Sequence, residues 1–287
     1  MSIYGRNNPE PRDHLVLGLD VDSWPEAEEI ISDTCENIGA YKLNSLGHVH
    51  GWKESINRVM ELGALAVVDL KSSDTPDTVR RTTRYMTSIG AGLITVNGTE
   101  DSRILRAAVE GRDQGRQDIE HPIYKDRREL FGRILASTVL TSTSEERIQK
   151  LYGQSVRGRV LDATREVAKA GVDGVVCSAD EVLDIRSNPD FEKLLIAVGS
   201  ITTTWTKRPP EHKRSGTPKQ AIEDGADLLF LGRRISQPER NEGRVRKAAA
   251  AEVNRDIAKV VYRRDNQNSN LARRARKRTV ASTGDTG

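Results

Sequence analysis

Cysteine is nearly absent: the 287 residues contain only Cys35 and Cys177. Both lie in apolar surroundings, with no C-x-x-C spacing and no histidine-rich set beside them. That argues against a disulfide or zinc framework and for a reducing compartment. Long apolar runs are also missing. No stretch reaches the roughly 18 residues of a membrane-spanning helix, and Met1 to His14 is polar, with Pro9 and Pro11, unlike a signal peptide. The expectation is a soluble, cytoplasmic protein. Aromatic residues are few, with three Trp, three Phe and six Tyr. The core must therefore come from Val, Leu, Ile and Ala, which recur in short runs suited to strands buried on both faces. A strong net charge is lacking too, the formal value being +3. Its distribution is uneven: Arg263 to Gly287 carries +5, which leaves −2 for the rest. Nucleic-acid binding would rest on this tail alone, so no nucleic-acid partner is expected. The tail has almost nothing apolar to bury, and its composition predicts a basic, disordered extension over 263–287.

What is present is a rhythm. Short apolar runs occur at Leu15–Asp20, Ala40–Leu43, Leu65–Leu70, Gly92–Val96, Ile134–Leu140, Gly174–Cys177, Leu194–Val198 and Leu228–Leu231. Between them lie helix-like segments: Ser23 to Ile38, Gly51 to Leu62, Thr75 to Ile89, Ser102 to Gly111, Ser144 to Leu151, Ser155 to Ala170, Thr217 to Asp224 and Pro238 to Val261. Ser23 and Glu26 have capping-box spacing, with Pro25 in the first turn. Apolar strands each followed by a helix indicate parallel units. Eight of them predict an α/β protein, a single (β/α)8 TIM barrel over 12–262 with a short extension at 1–11; an open doubly wound sheet is the competing arrangement. Two stretches break the rhythm. Gly111 to Arg133 reads as a polar insertion between the fourth and fifth strands. Ile201 to Gly216 reads as a long basic loop after the seventh, where barrels commonly hold phosphate.

The densest chemistry is Asp69-Leu70-Lys71-Ser72-Ser73-Asp74-Thr75-Pro76-Asp77-Thr78, directly after an apolar run. Side chains alternate along a strand, so Asp69 and Lys71 should face the same way, and Pro76 ends the strand. Carboxylates and an ammonium crowded at a strand end perturb one another's ionisation and mark a site more often than scaffolding. Polar residues follow other apolar runs as well: Asp20 and Asp22, Lys42 and Asn44, Asn97, Thr141 and Ser142, Ser178, then Gly232 and Arg233. In a barrel all of them open onto one face. Singly each is ambiguous, since Asp20 can cap a turn, Ser142 a helix, and Arg233 can form a surface ion pair.

At these residues the chain resembles the orotidine 5'-monophosphate decarboxylase family. The matching segments are Leu19-Asp20-Val21-Asp22, Lys42, Asp69 through Thr78, Thr141-Ser142, Thr217 through Asp227, and Gly232-Arg233. Pro76 and Thr78 favour the nucleotide branch over related sugar-phosphate enzymes. The resemblance implies a charge array of Lys42, Asp69, Lys71 and Asp74, with Lys71 protonating C6 of the pyrimidine as carbon dioxide leaves and Asp69 against the substrate carboxylate. It implies that Asp20 and Lys42 hold ribose hydroxyls, Ser142 the base, and Arg233 with the Gly232 amide the 5'-phosphate of a small nucleotide substrate. It further implies a homodimer in which Asp74 and Thr78 reach the neighbouring site, and neither metal nor organic cofactor. Departures are Asn97 where the family usually has His, a seventh-strand end without the family's phosphate-loop Gln, and the insertion at Gly111 to Arg133. Two other readings remain open: a barrel of this kind acting on another pyrimidine nucleotide or a sugar phosphate, and a barrel that only binds nucleotide or RNA.

Overall fold

The structure, a computed structural model, describes residues 5, 9–120, 125–203, 214–237 and 245–263. Eight strands close into a barrel in chain order: β1 (Leu15–Gly18), β2 (Ala40–Leu43), β3 (Leu65–Ser72), β4 (Leu93–Asn97), β5 (Arg133–Ser137), β6 (Gly174–Cys177), β7 (Leu195–Val198) and β8 (Leu228–Leu231). Every neighbouring pair is parallel, and β8 returns to β1. The fold is the (β/α)8 TIM barrel. Its helices are α1 (Trp24–Thr34), α2 (Ser45–His50), α3 (Trp52–Glu61), α4 (Pro76–Ser88), α5 (Ser102–Gln117), α6 (Glu145–Tyr152), α7 (Val156–Ala170), α8 (Val182–Arg186), α9 (Pro218–Asp224), α10 (Arg233–Ser236) and α11 (246–263). Among the described residues no helix is long and apolar enough to cross a membrane.

Strand alternation sorts the apolar residues into two clusters. One lies between strands and helices and includes Leu15, Leu17, Tyr41, Val68, Ile94, Ile134 and Val175. The other fills the barrel with Val16, Ala40, Val67, Leu93, Leu135, Ala197 and Leu228. Two residues further along, the same inner face turns polar on β2, β3, β4 and β5, and opens to a glycine on β1. Val16 is followed by Gly18, Ala40 by Lys42, Val67 by Asp69, Leu93 by Thr95 and Leu135 by Ser137. The site is thus the last inner layer of the barrel at its carboxyl end.

Several boundaries differ from the sequence expectation. The stretch from Gly111 is not an insertion at its start, because α5 runs on to Gln117. Gly111 and Gly115 act as close-packing positions against α4: a Cβ on Gly111 would strike the Thr83 hydroxyl and the Arg80 carbonyl, and one on Gly115 the Arg84 carbonyl. β1 stops at Gly18, so Asp20 and Asp22 stand on the following loop, and β5 stops at Ser137, leaving Thr141 and Ser142 beyond its end. The Ser23 capping box does not form. Ser23 stands at the N-cap with extended backbone, but its side chain accepts no bond from the first turn. Thr75, Ser144, Ser155 and Thr217 do cap their helices, each accepting from a backbone N–H in the first turn. The basic tail after Arg263, and 204–213 of the loop after β7, lie outside the described residues. So do 238–244, where the last helix was expected to begin.

Candidate active site

Asp69 is the centre of the site. It stands near the end of β3 with its side chain 6% exposed, and two ammonium groups converge on one of its oxygens: Lys71 Nζ lies 2.7 Å and Lys42 Nζ 3.0 Å from Oδ2. The other oxygen, Oδ1, accepts a hydrogen bond from the Thr95 hydroxyl at 2.8 Å. Burial alone would push the Asp69 carboxyl up, but the charges of Lys42 and Lys71 and their hydrogen bonds outweigh it and hold the group below its ordinary value. Lys42 also faces Asp20, Nζ to Oδ1 3.8 Å, which extends the line of alternating charge to a carboxylate 44% exposed at the mouth.

Local backbone geometry puts Lys71 there. The β3–β4 register shifts between Val68 and Ser72, and Lys71 has φ of 48°, one of two non-glycine residues with positive φ among those described. The conformation is disfavoured for an L-residue and persists only where neighbours fix it. Thr95 is one such neighbour: its hydroxyl accepts from the Lys71 backbone N–H at 2.9 Å while donating to Asp69. Asn44 adds a second tie, its side-chain amide donating to the Asp69 carbonyl at 3.2 Å. The expectation that Asp69 and Lys71 share a face is met, by way of a bulge rather than a regular strand. Thr95 was not singled out from the sequence. Its only signal there is parity, since it lies two residues beyond Leu93 on the inner face.

The remaining expected residues divide. Asp74 and Thr78 are exposed on the rim at the start of α4, where Asp74 Oδ1 accepts from the Thr75 N–H at 2.5 Å and Thr78 Oγ1 lies 2.9 Å from Thr75 Oγ1. Gly232 and Arg233 are exposed at the end of β8, with open space where a Gly232 side chain would stand. Ser142 is exposed, while Thr141 beside it lines the cavity next to Asp69 and Lys71. That cavity spans about 680 Å³, open space included. Leu140, Val176 and Phe230 give it apolar walls, and Ser137 and Ser200 add hydroxyls. Asn97 is held at the neighbouring loop, its amide donating to Glu100 Oε1 at 3.2 Å and its oxygen accepting from Thr99 N–H at 2.8 Å.

Arg214, at the described end of the loop after β7, does not face Arg233. Its guanidinium is paired with Glu181, which is only 3% exposed, and donates to the Val139 carbonyl at 2.8 Å and the Leu140 carbonyl at 3.1 Å. Glu181 in turn accepts from the Ser178 N–H and hydroxyl. Together with the Thr202 N–H to Gly216 carbonyl bond of 2.9 Å, this ties the foot of the loop to the ends of β5 and β6. Arg214 is therefore a structural clamp.

A family profile described as "Orotidine 5'-phosphate decarboxylase / HUMPS family" matches residues 13–248. A curated orotidine 5'-phosphate decarboxylase from Heliobacterium modesticaldum is 30% identical over 258 residues, 89% of this chain and 100% of that protein. One from Methylobacterium nodulans is 31% identical over 232 residues, 80% of this chain and 91% of its own length. Among solved structures, an orotidine 5'-phosphate decarboxylase from Lactobacillus acidophilus superimposes with a TM-score of 0.68 at 23% identity, covering 85% of this chain and 98% of its own. At that identity the likeness speaks for the fold.

Proposed function

The chain belongs to the orotidine 5'-phosphate decarboxylase / HUMPS family, and from that membership and the site geometry we propose that it is a carboxy-lyase converting orotidine 5'-phosphate to uridine 5'-monophosphate and carbon dioxide. The observation that carries this reading is the placement of one buried carboxylate oxygen, Asp69 Oδ2, between Lys42 and Lys71. With the substrate carboxylate beside Asp69, two negative charges share one site. The C6–carboxylate bond breaks, its electron pair stays on C6, and carbon dioxide departs. Lys71 then gives its proton to C6 and recovers one from solvent. A fixed ammonium gains attraction as charge builds on C6, and Asp69 loses a repulsive neighbour as the carboxylate becomes neutral, so both groups act more favourably in the transition state than in the ground state.

Around this centre, Asp20 and Lys42 bind the ribose hydroxyls, and Gly232 with Arg233 binds the 5'-phosphate at the end of β8. Asp74 and Thr78 stand exposed on the rim, which supports a homodimer in which these two residues complete the partner's site. Ser142, exposed beyond the end of β5, is assigned to the base. Incubating the purified protein with orotidine 5'-phosphate and identifying the product tests the reading. Appearance of uridine 5'-monophosphate supports it, and an unchanged substrate refutes it.

A further inference from the structure

Two hydroxyls in the central cavity have no hydrogen-bond partner among the described residues. Ser137 Oγ and Ser200 Oγ are both buried and unpaired, and both residues line the same space as Asp69 and Lys71. A buried hydroxyl without a partner forfeits its hydration, so native proteins rarely leave one unpaired unless something else supplies the bond. Backbone geometry singles out the same place. Lys71 and Ser200, with φ of 48° and 59°, are the two non-glycine residues of positive φ among those described, and they face one cavity. Strain of this kind gathers at ligand sites. Ser137 sits on the inner face of β5, in the polar layer that includes Thr95 and Asp69, whereas Ser200 follows the end of β7. The two therefore approach the cavity from different strands, with the apolar Val176 and Phe230 also on its lining.

Apolar walls with hydroxyls at separate points suit a flat ring bearing oxygen atoms. We propose that Ser137 and Ser200 are substrate-binding residues whose hydroxyls hydrogen-bond oxygen atoms carried by the pyrimidine ring. The proposal rests on the reading that the substrate is a pyrimidine nucleotide, and adds how its ring is held. A serine hydroxyl rotates to donate or accept, so the pair supplies affinity for the ring rather than a fixed donor pattern.

The test compares the wild-type chain with Ser137→Ala, Ser200→Ala and Ser200→Gly by calorimetric titration with uridine 5'-monophosphate and, separately, with ribose 5-phosphate, which lacks the ring. Each variant should weaken uridine 5'-monophosphate binding about threefold to tenfold, the usual range for one lost hydrogen bond, and leave ribose 5-phosphate binding as it was. Ser200→Gly relieves the positive φ and should bind as weakly as Ser200→Ala, which separates the hydroxyl from the strain. The proposal is overturned by uridine 5'-monophosphate affinity within about twofold of wild type in all three variants, or by equal weakening toward both ligands. If the wild type turns over orotidine 5'-phosphate while the variants bind like it, this inference fails and the decarboxylase reading stands. A wild type that neither binds nor turns over the pyrimidine nucleotides overturns both.

Discussion

Thr95 holds Asp69 and Lys71 in one arrangement: its hydroxyl donates to Asp69 Oδ1 at 2.8 Å and accepts from the Lys71 backbone N–H at 2.9 Å. A single fully buried side chain on β4 thus fixes both the carboxylate orientation and the bulge that presents the ammonium. Thr95→Val keeps the shape but removes both bonds. Because hydrogen bonds to charged groups are worth about 1.5–3 kcal/mol, kcat/KM should fall at least tenfold, with Thr95→Ser restoring most of it. Steady-state kinetics of the two variants check this, and equal rates in wild type and Thr95→Val would remove Thr95 from the site.

Acid should expose the state of Asp69. Its carboxyl is held below the ordinary 3.8, so between the folded and unfolded values the unfolded chain binds the extra proton and stability rises with pH. The contribution is complete above 3.8 and is lost as pH falls through the folded value. Urea unfolding of wild type and Asp69→Asn should show a stability difference that is level near neutrality and shrinks as pH drops below about 4. A difference that widens toward low pH contradicts this assignment.

Strain at Lys71 separates two substitutions that both remove the ammonium. Alanine at φ of 48° retains the unfavourable backbone, whereas glycine does not. Lys71→Gly should therefore be as stable as Lys71→Ala or up to about 1 kcal/mol more stable, read by thermal or urea unfolding. A clearly less stable Lys71→Gly means that the positive φ is not a feature of the site.

If Asp74 completes the partner's site, two dead variants can rescue each other. Mixed Lys71→Ala and Asp74→Ala chains, refolded together, should regain about a quarter of wild-type activity per chain, since half of the chains sit in mixed dimers that hold one site with both residues intact. No recovery from mixtures proved to contain the mixed dimer places Asp74 outside the shared site.

Much of this architecture is legible in the sequence because its signals are local. Eight apolar runs separated by helical segments indicate the barrel, and period-two alternation from Val67 puts Asp69 on its inner face, while Lys71 reaches the same side through the bulge. What the sequence concealed depends on contacts between distant segments. Gly111 looks like the start of an insertion until α4 is seen packed against it and Gly115, and within the basic loop after β7 the pairing of Arg214 with Glu181 shows only in the fold. Thr95, an ordinary β-branched strand residue in the chain, gains its role only when β3 and β4 lie side by side. Ser23 has the spacing of a capping box and stands at the N-cap, yet its side chain makes no capping bond.

The central claim is that Lys71 delivers the proton to C6. It is tested most directly by the decarboxylation rate of orotidine 5'-phosphate in wild type and folded Lys71→Ala, followed by absorbance, with the product analysed for deuterium at C6 when the reaction runs in heavy water. The account predicts rapid turnover by the wild type, one deuterium at C6 of its product, and a loss of more than about a thousandfold in Lys71→Ala, over 4 kcal/mol of transition-state stabilisation. Retention of more than about a tenth of the wild-type rate by Lys71→Ala, a loss under about 1.4 kcal/mol, would contradict it.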